Sequence, residues 1–65
     1  MNIQPHQKRV IDERLDLSSR LERLSDFIGT ETFLFLDAKE QERMELQLDL
    51  MRKLRNVLDE RIAAF

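Results

Sequence analysis

The arginine at position 14 has the most unusual setting in this sequence. Val10, Arg14, Leu17, Leu21, Leu24 and Ile28 step by four and three, the spacing of one helix face packed along a partner. Arg14 takes an apolar slot in that series. A guanidinium presents five donors in a flat fork, suited to a phosphate or to stacking on a base. In an antiparallel hairpin the start of the first helix lies beside the end of the second, within reach of Asp59 and Glu60. Two readings follow: an ion-paired arginine that sets register, or an anion receptor at a subunit boundary. A buried arginine is by itself weak support for stability, because desolvation offsets much of its attraction.

The other cations fall into small groups. His6, Lys8 and Arg9 open the first helix, where free N–H groups and the dipole favour phosphate. Lys8 reads as part of a solvated turn. Arg9, next to Val10, can reach an interface, and His6 is the ring in that region able to stack on a base. Arg52, Lys53 and Arg55 point to different sides of a helix, and Asp49 lies four before Lys53, as on a solvated face with ion pairs. Arg61 shares a stripe with Leu54 and Val57, a second candidate for a semi-buried guanidinium. Thr30 and Thr32 offer hydroxyls beside Gly29, for base or phosphate contacts or equally for capping.

Catalysis finds little support. The sequence has no Ser–His–Asp set, no phosphate-cradling glycine loop and no Cys or His cluster. Asp12 and Glu13 are adjacent, so on a helix they diverge and form no dyad. With no cysteine and one histidine, neither a metal site nor a cofactor is expected. The expectation is a binding protein, not an enzyme.

The elements that must position these residues are two long helices. Pro5 suits a first turn, so the first helix is predicted from Gln4–His6 to about Phe27. It ends at Gly29, where helices commonly close with a left-handed residue. The connector GTETFLFLD is too apolar for a free loop. It reads as a short helical turn or extended segment plugging the end of a bundle. Asp37, with Glu40 three residues on, resembles a capping box. A second helix follows from Ala38 to Ala64, about 40 Å at 1.5 Å per residue.

That second helix is apolar in more than one direction. Met44, Leu48, Met51, Leu58, Ile62 and Phe65 form one stripe, Leu50, Leu54, Val57 and Ala64 another, and Leu46 a third direction. The first helix adds Ile11 and Leu15 beside its seam. A two-helix hairpin covers one stripe only, and exposed apolar patches of this size usually mark an interface. The expected fold is therefore all-α and a single domain, 1–65: a two-helix antiparallel hairpin with a short apolar connector, assembling into a homo-oligomeric helical bundle.

Bulk composition agrees. A chain of 65 residues sits near the lower limit for folding alone, and without disulfides oligomerisation is the staple left. No apolar run approaches the roughly 20 residues of a membrane span, and the N-terminus lacks a signal-peptide pattern. A cytoplasmic protein with no membrane partner is expected. Eleven basic and thirteen acidic residues, net −2, argue against a DNA partner but leave room for a local basic pocket.

Several stretches carry a family resemblance: PHQKRV with Glu13, LERLSDFI and TETF in the first half, then EQER, QLDLM and VLDERIAAF to the end. Through them nearly the whole chain resembles the small helical-hairpin domain of the phage anti-CBASS and anti-Thoeris cyclic-nucleotide sponges. That resemblance implies sequestration, without cleavage, of cyclic oligonucleotide signals made by bacterial immune systems. It also implies compact homo-oligomers, typically hexamers, with pockets between protomers in the host cytoplasm. The family stacks an aromatic ring near the N-terminus on a base and meets phosphate with a basic residue on the first helix. Arg14 matches the latter, and His6 takes the ring's place only loosely, since the chain has no tyrosine. That departure bears on a dinucleotide pocket; a trinucleotide site where several subunits meet could survive without the ring. The implied ligand is a cyclic di- or trinucleotide, and the candidate binding residues are Arg14, Arg9, His6, Thr30, Thr32 and Arg61. Two other readings stay open: a structural or RNA-associated hairpin dimer forming a four-helix bundle, and an inhibitor gripping a host protein through its surplus stripe.

Overall fold

The structure is a computed structural model that describes residues 2–65. Three helices follow in order: α1 (Pro5–Ile28), α2 (Glu31–Leu34) and α3 (Ala38–Ala63). The long pair, α1 and α3, pack along each other, and the molecule is a rod of 49 × 14 × 13 Å. No strand is present among the described residues. The expected all-helical hairpin is found, with its connector formed as a single helical turn.

Each end has a local cause. Pro5 stands in the first turn of α1, and Gln4 N–H donates to Gln7 Oε1 at 2.9 Å, satisfying one of the donors left over at a helix start. At the other end Gly29 departs from the expectation. Its φ is −80°, not left-handed. The α1 carbonyls are satisfied instead by the Gly29 N–H, which reaches Ser25 O and Asp26 O, and by Thr30, whose N–H and hydroxyl both donate to Phe27 O. Nothing there demands a left-handed residue, because the chain bends directly into α2. The capping box at α3 is likewise only half made. Asp37 accepts from Lys39 N–H at 3.0 Å, whereas Glu40 turns outward to pair with Arg43 at 3.0 Å.

The core is one seam. Val10, Leu17 and Leu21 from α1 and Leu48 and Leu58 from α3 are buried, as is Phe33 of α2. Leu58 is 1% exposed and packs with Val10, Leu17, Met51 and Ile62. Phe33 lies edge-to-face against Phe27, ring centroids 6.4 Å apart. Of the apolar run Phe33–Leu36, only Phe33 is fully buried; Phe35 is 86% exposed. Gln41 holds the turn, its Nε2 donating to Leu34 O and Leu36 O. The second stripe of α3 stays uncovered: Leu46, Leu50, Leu54 and Val57 are all exposed, as is Leu15 on α1. No helix among the described residues is long and apolar enough to cross a membrane.

Candidate functional site

Position 14 on the seam of α1 faces α3 one turn below the Leu17 contact, so a long side chain there must emerge at the edge between the helices. Arg14 does so. Its Nε donates to Asp59 Oδ1 at 2.7 Å, with the arginine 31% exposed. Glu60, the other acid within sequence reach, does not join, because the next residue on a helix points about 100° away. Asp59 is held below the usual carboxylate range, first by the Arg14 hydrogen bond; partial burial opposes this, and the Arg14 and Arg55 charges add to it. The same bond raises Arg14 further, so the guanidinium is charged at any physiological pH.

Arg55 is the member that sequence reading placed on a solvated face. It lies four before Asp59, half-buried, on the stripe that carries Leu48, Met51, Leu58 and Ile62. The available signal was its phase: Gln41, Met44, Leu48, Met51, Arg55, Leu58 and Ile62 share one face, and Gln41 and Arg55 are its polar members. Arg14 holds Asp59 directly, and the charge of Arg55, one turn before Asp59, acts on the same carboxylate. Lys53, by contrast, pairs with Asp49 at 3.0 Å on an exposed face, as its spacing predicts.

The six candidate residues divide between the two ends of the rod. His6 and Arg9 are exposed on the first turns of α1, and Arg61 is exposed on the last turn of α3. With Arg14 they share the open end, where the termini lie. Lys8, beside them, is engaged with Asp12 at 2.9 Å. Arg61 is not semi-buried in a single chain, because its stripe is the uncovered one. Thr30 and Thr32 lie at the closed end, some 16 helical residues from Arg14, or about 24 Å. One chain therefore does not bring the arginines and threonines together; only neighbouring copies can. Thr30 is moreover occupied: its hydroxyl donates to Phe27 O at 2.6 Å and accepts from Phe33 N–H at 3.4 Å. Thr32 is exposed on α2.

A second feature lies on the outer side of α3. Arg43, Leu46, Gln47, Leu50, Met51 and Leu54 line a shallow open depression of 310 Å³. It belongs to one helix face, away from the Arg14 edge. Sequence reading named the leucines but not Arg43, whose phase with Leu46, Leu50 and Val57 was the signal.

A family model described as Sequestin matches residues 4–64, all of α1, α2 and α3. No curated protein and no solved structure matches the chain.

Proposed function

The chain belongs to the Sequestin family, and from that premise we propose that it captures a cyclic oligonucleotide second messenger and holds it intact. The observation that carries this reading is the extent of the match, residues 4–64. The family's name denotes sequestration, and the match takes in all three helices. The hairpin itself is then the sequestering element.

The open end supports an anionic ligand. Arg14 has already emerged from the seam with its charge fixed, and an ion pair this open to water is exchanged for a phosphate at little cost. Arg9 and Arg61 add positive charge nearby, and His6 offers an exposed ring for a base face. Thr32 remains free for a base edge supplied from a neighbouring copy, whereas Thr30 is committed to its cap. Assembly is part of the proposal, because the two sets of residues meet only between copies; a hexamer would present several such joins. In this reading the protein works by stoichiometry in the host cytoplasm, lowering the free messenger as a phage anti-defence device. In this reading the ligand is held intact and released unchanged.

Native mass spectrometry against a panel of cyclic di- and trinucleotides tests this. The expected result is a defined complex with at least one of them at nanomolar affinity, about −12 kcal/mol, and recovery of the intact cyclic ligand on denaturation. A panel with no complex, or release of a linear product, overturns the reading.

A further inference from the structure

We infer that Arg55 and Ser18 join Arg14 in holding one phosphate of the captured ligand, at the edge where α1 meets α3. The inference rests on the cyclic-oligonucleotide reading above and gives both residues a part in it.

One bond sets the register of that edge. Arg14 Nε donates to Asp59 Oδ1 at 2.7 Å, so these two residues stand at one level of the antiparallel pair. Ser18 lies one turn after Arg14 on α1, and Arg55 lies one turn before Asp59 on α3. Because the helices run in opposite directions, both steps lead the same way along the rod, by about 6 Å. Ser18 and Arg55 therefore occupy the next level of the same edge, and both are half-buried. One turn further the edge carries Glu22 and Arg52, both exposed and one of each sign.

The Arg55 level is marked by donors without acceptors. Arg14 and Arg55 are the half-buried cations among the described residues; the other lysines and arginines are exposed. Arg14 has Asp59, whereas Arg55 has no hydrogen-bond or ion-pair partner among the described residues, and the Ser18 hydroxyl has no hydrogen-bond partner. No polar side-chain atom is buried without a partner, so the free donors of Arg55 and Ser18 reach solvent. Partial burial of a guanidinium costs desolvation, and no direct bond within the chain offsets it at Arg55. Arg14 is itself only partly engaged, since it meets Asp59 through Nε and its terminal amino groups make no hydrogen bond. A phosphodiester has two unesterified oxygens and can accept from both guanidiniums at once. Arriving at this edge, it competes with Asp59 for Arg14 and gains Arg55 and the Ser18 hydroxyl, neither of which Asp59 bonds.

Isothermal titration with cyclic di-AMP, cyclic di-GMP, cyclic GMP–AMP and cyclic tri-AMP tests the assignment. For whichever of these the wild type captures, Arg55→Gln should lower affinity about tenfold, as loss of a charge-assisted bond does. Arg55→Lys keeps the charge without the flat fork and should recover only part of that loss. Ser18→Ala, which favours the helix and so folds, should cost about fivefold, the share of one hydrogen bond. Lys53→Gln removes an equal charge from an exposed face of α3 and should leave affinity within about twofold. Circular dichroism and native mass check that each variant keeps the wild-type helices and assembly. Should Arg55→Gln fail to fold, Ser18→Ala decides. Wild-type affinity in Arg55→Gln or in Ser18→Ala, or an equal loss in Lys53→Gln, overturns the assignment and leaves the capture reading standing. A wild type that captures none of the four nucleotides brings down the capture reading, and this site with it.

Discussion

Where the chain turns back on itself, the side chains of Thr30 and Gln41 are bound to the chain. The Thr30 hydroxyl bridges Phe27 O and Phe33 N–H, Gln41 ties down Leu34 O and Leu36 O, and Phe33 fills the gap against Phe27. At the open end the arrangement is reversed. His6, Arg9 and Arg61 project into solvent, and Arg14 leans out of the seam onto a single carboxylate. The difference teaches how a two-helix protein divides its labour. The closed end must fix the angle between helices, and Thr30 and Gln41 are engaged in doing so. The open end inherits its geometry from the seam and can leave guanidiniums available.

The largest effect that would test this division is at the closed end. Phe33 is 4% exposed and is the sole fully buried residue of α2. Phe33→Ala should cost about 3–5 kcal/mol, a large share of the stability of a domain this small. Urea unfolding at fixed protein concentration measures it, the concentration being held because assembly contributes to apparent stability. A loss under about 1 kcal/mol would mean that the turn is held by its hydrogen bonds and not by its plug.

Arg14→Leu sharpens the other side of the comparison. Leucine continues the seam between Val10 and Leu17, so helicity and melting temperature should be kept or raised. Capture of a cyclic oligonucleotide, measured by isothermal titration, should fall at least tenfold, about 1.4 kcal/mol or more. Unchanged affinity would return Arg14 to a register-setting role and leave the open end without its principal phosphate group.

The sequence made the seam legible and its edges less so. Steps of four and three from Val10 to Ile28 predicted α1 and its buried face, and the same periodicity with a break at Gly29 and Asp37 predicted where the helices end. The Arg14–Asp59 pair was within reach of the same reasoning, because antiparallel packing leaves few acids opposite position 14. Less legible were interactions in which tertiary geometry overrode a local rule. Gly29 is not left-handed because Thr30 satisfies the carbonyls that a left-handed residue would otherwise turn to meet. Glu40 leaves its capping role because Arg43 competes for it one turn on. Leu34 and Phe35 look like core by composition, yet a four-residue helix has one inner face and Phe33 takes it. The six candidate site residues were chosen for chemistry, and only the structure shows that they belong to opposite ends of a 49 Å rod.

Thr30→Ala separates capping from ligand binding at the closed end. Loss of the hydroxyl that accepts from Phe33 N–H should cost about 1 kcal/mol, the usual value for such a cap. Affinity for the captured ligand should be unaffected within a factor of two. A tenfold loss of affinity with unchanged stability would instead place Thr30 in the pocket and show that both ends of the hairpin contribute directly.

The smallest effect concerns acid. Asp59 has its carboxyl lowered, chiefly by the Arg14 hydrogen bond, so the folded protein holds this group ionised more firmly than the unfolded chain does. A lowered carboxyl contributes stability that is complete above its unfolded value, about 3.9, and is lost as the pH falls through the folded value below it. Melting curves of the wild type and Arg14→Leu, recorded from neutral pH down to about 2, should therefore differ in their acid limb. The wild type should lose slightly more stability than the variant below about pH 4, because only the wild type has this bond to lose. Since both side chains are open to solvent, the difference should shrink further in high salt. Identical acid limbs would mean that the 2.7 Å contact carries no net energy, and that Arg14 is already as free for a phosphate as the cations around it.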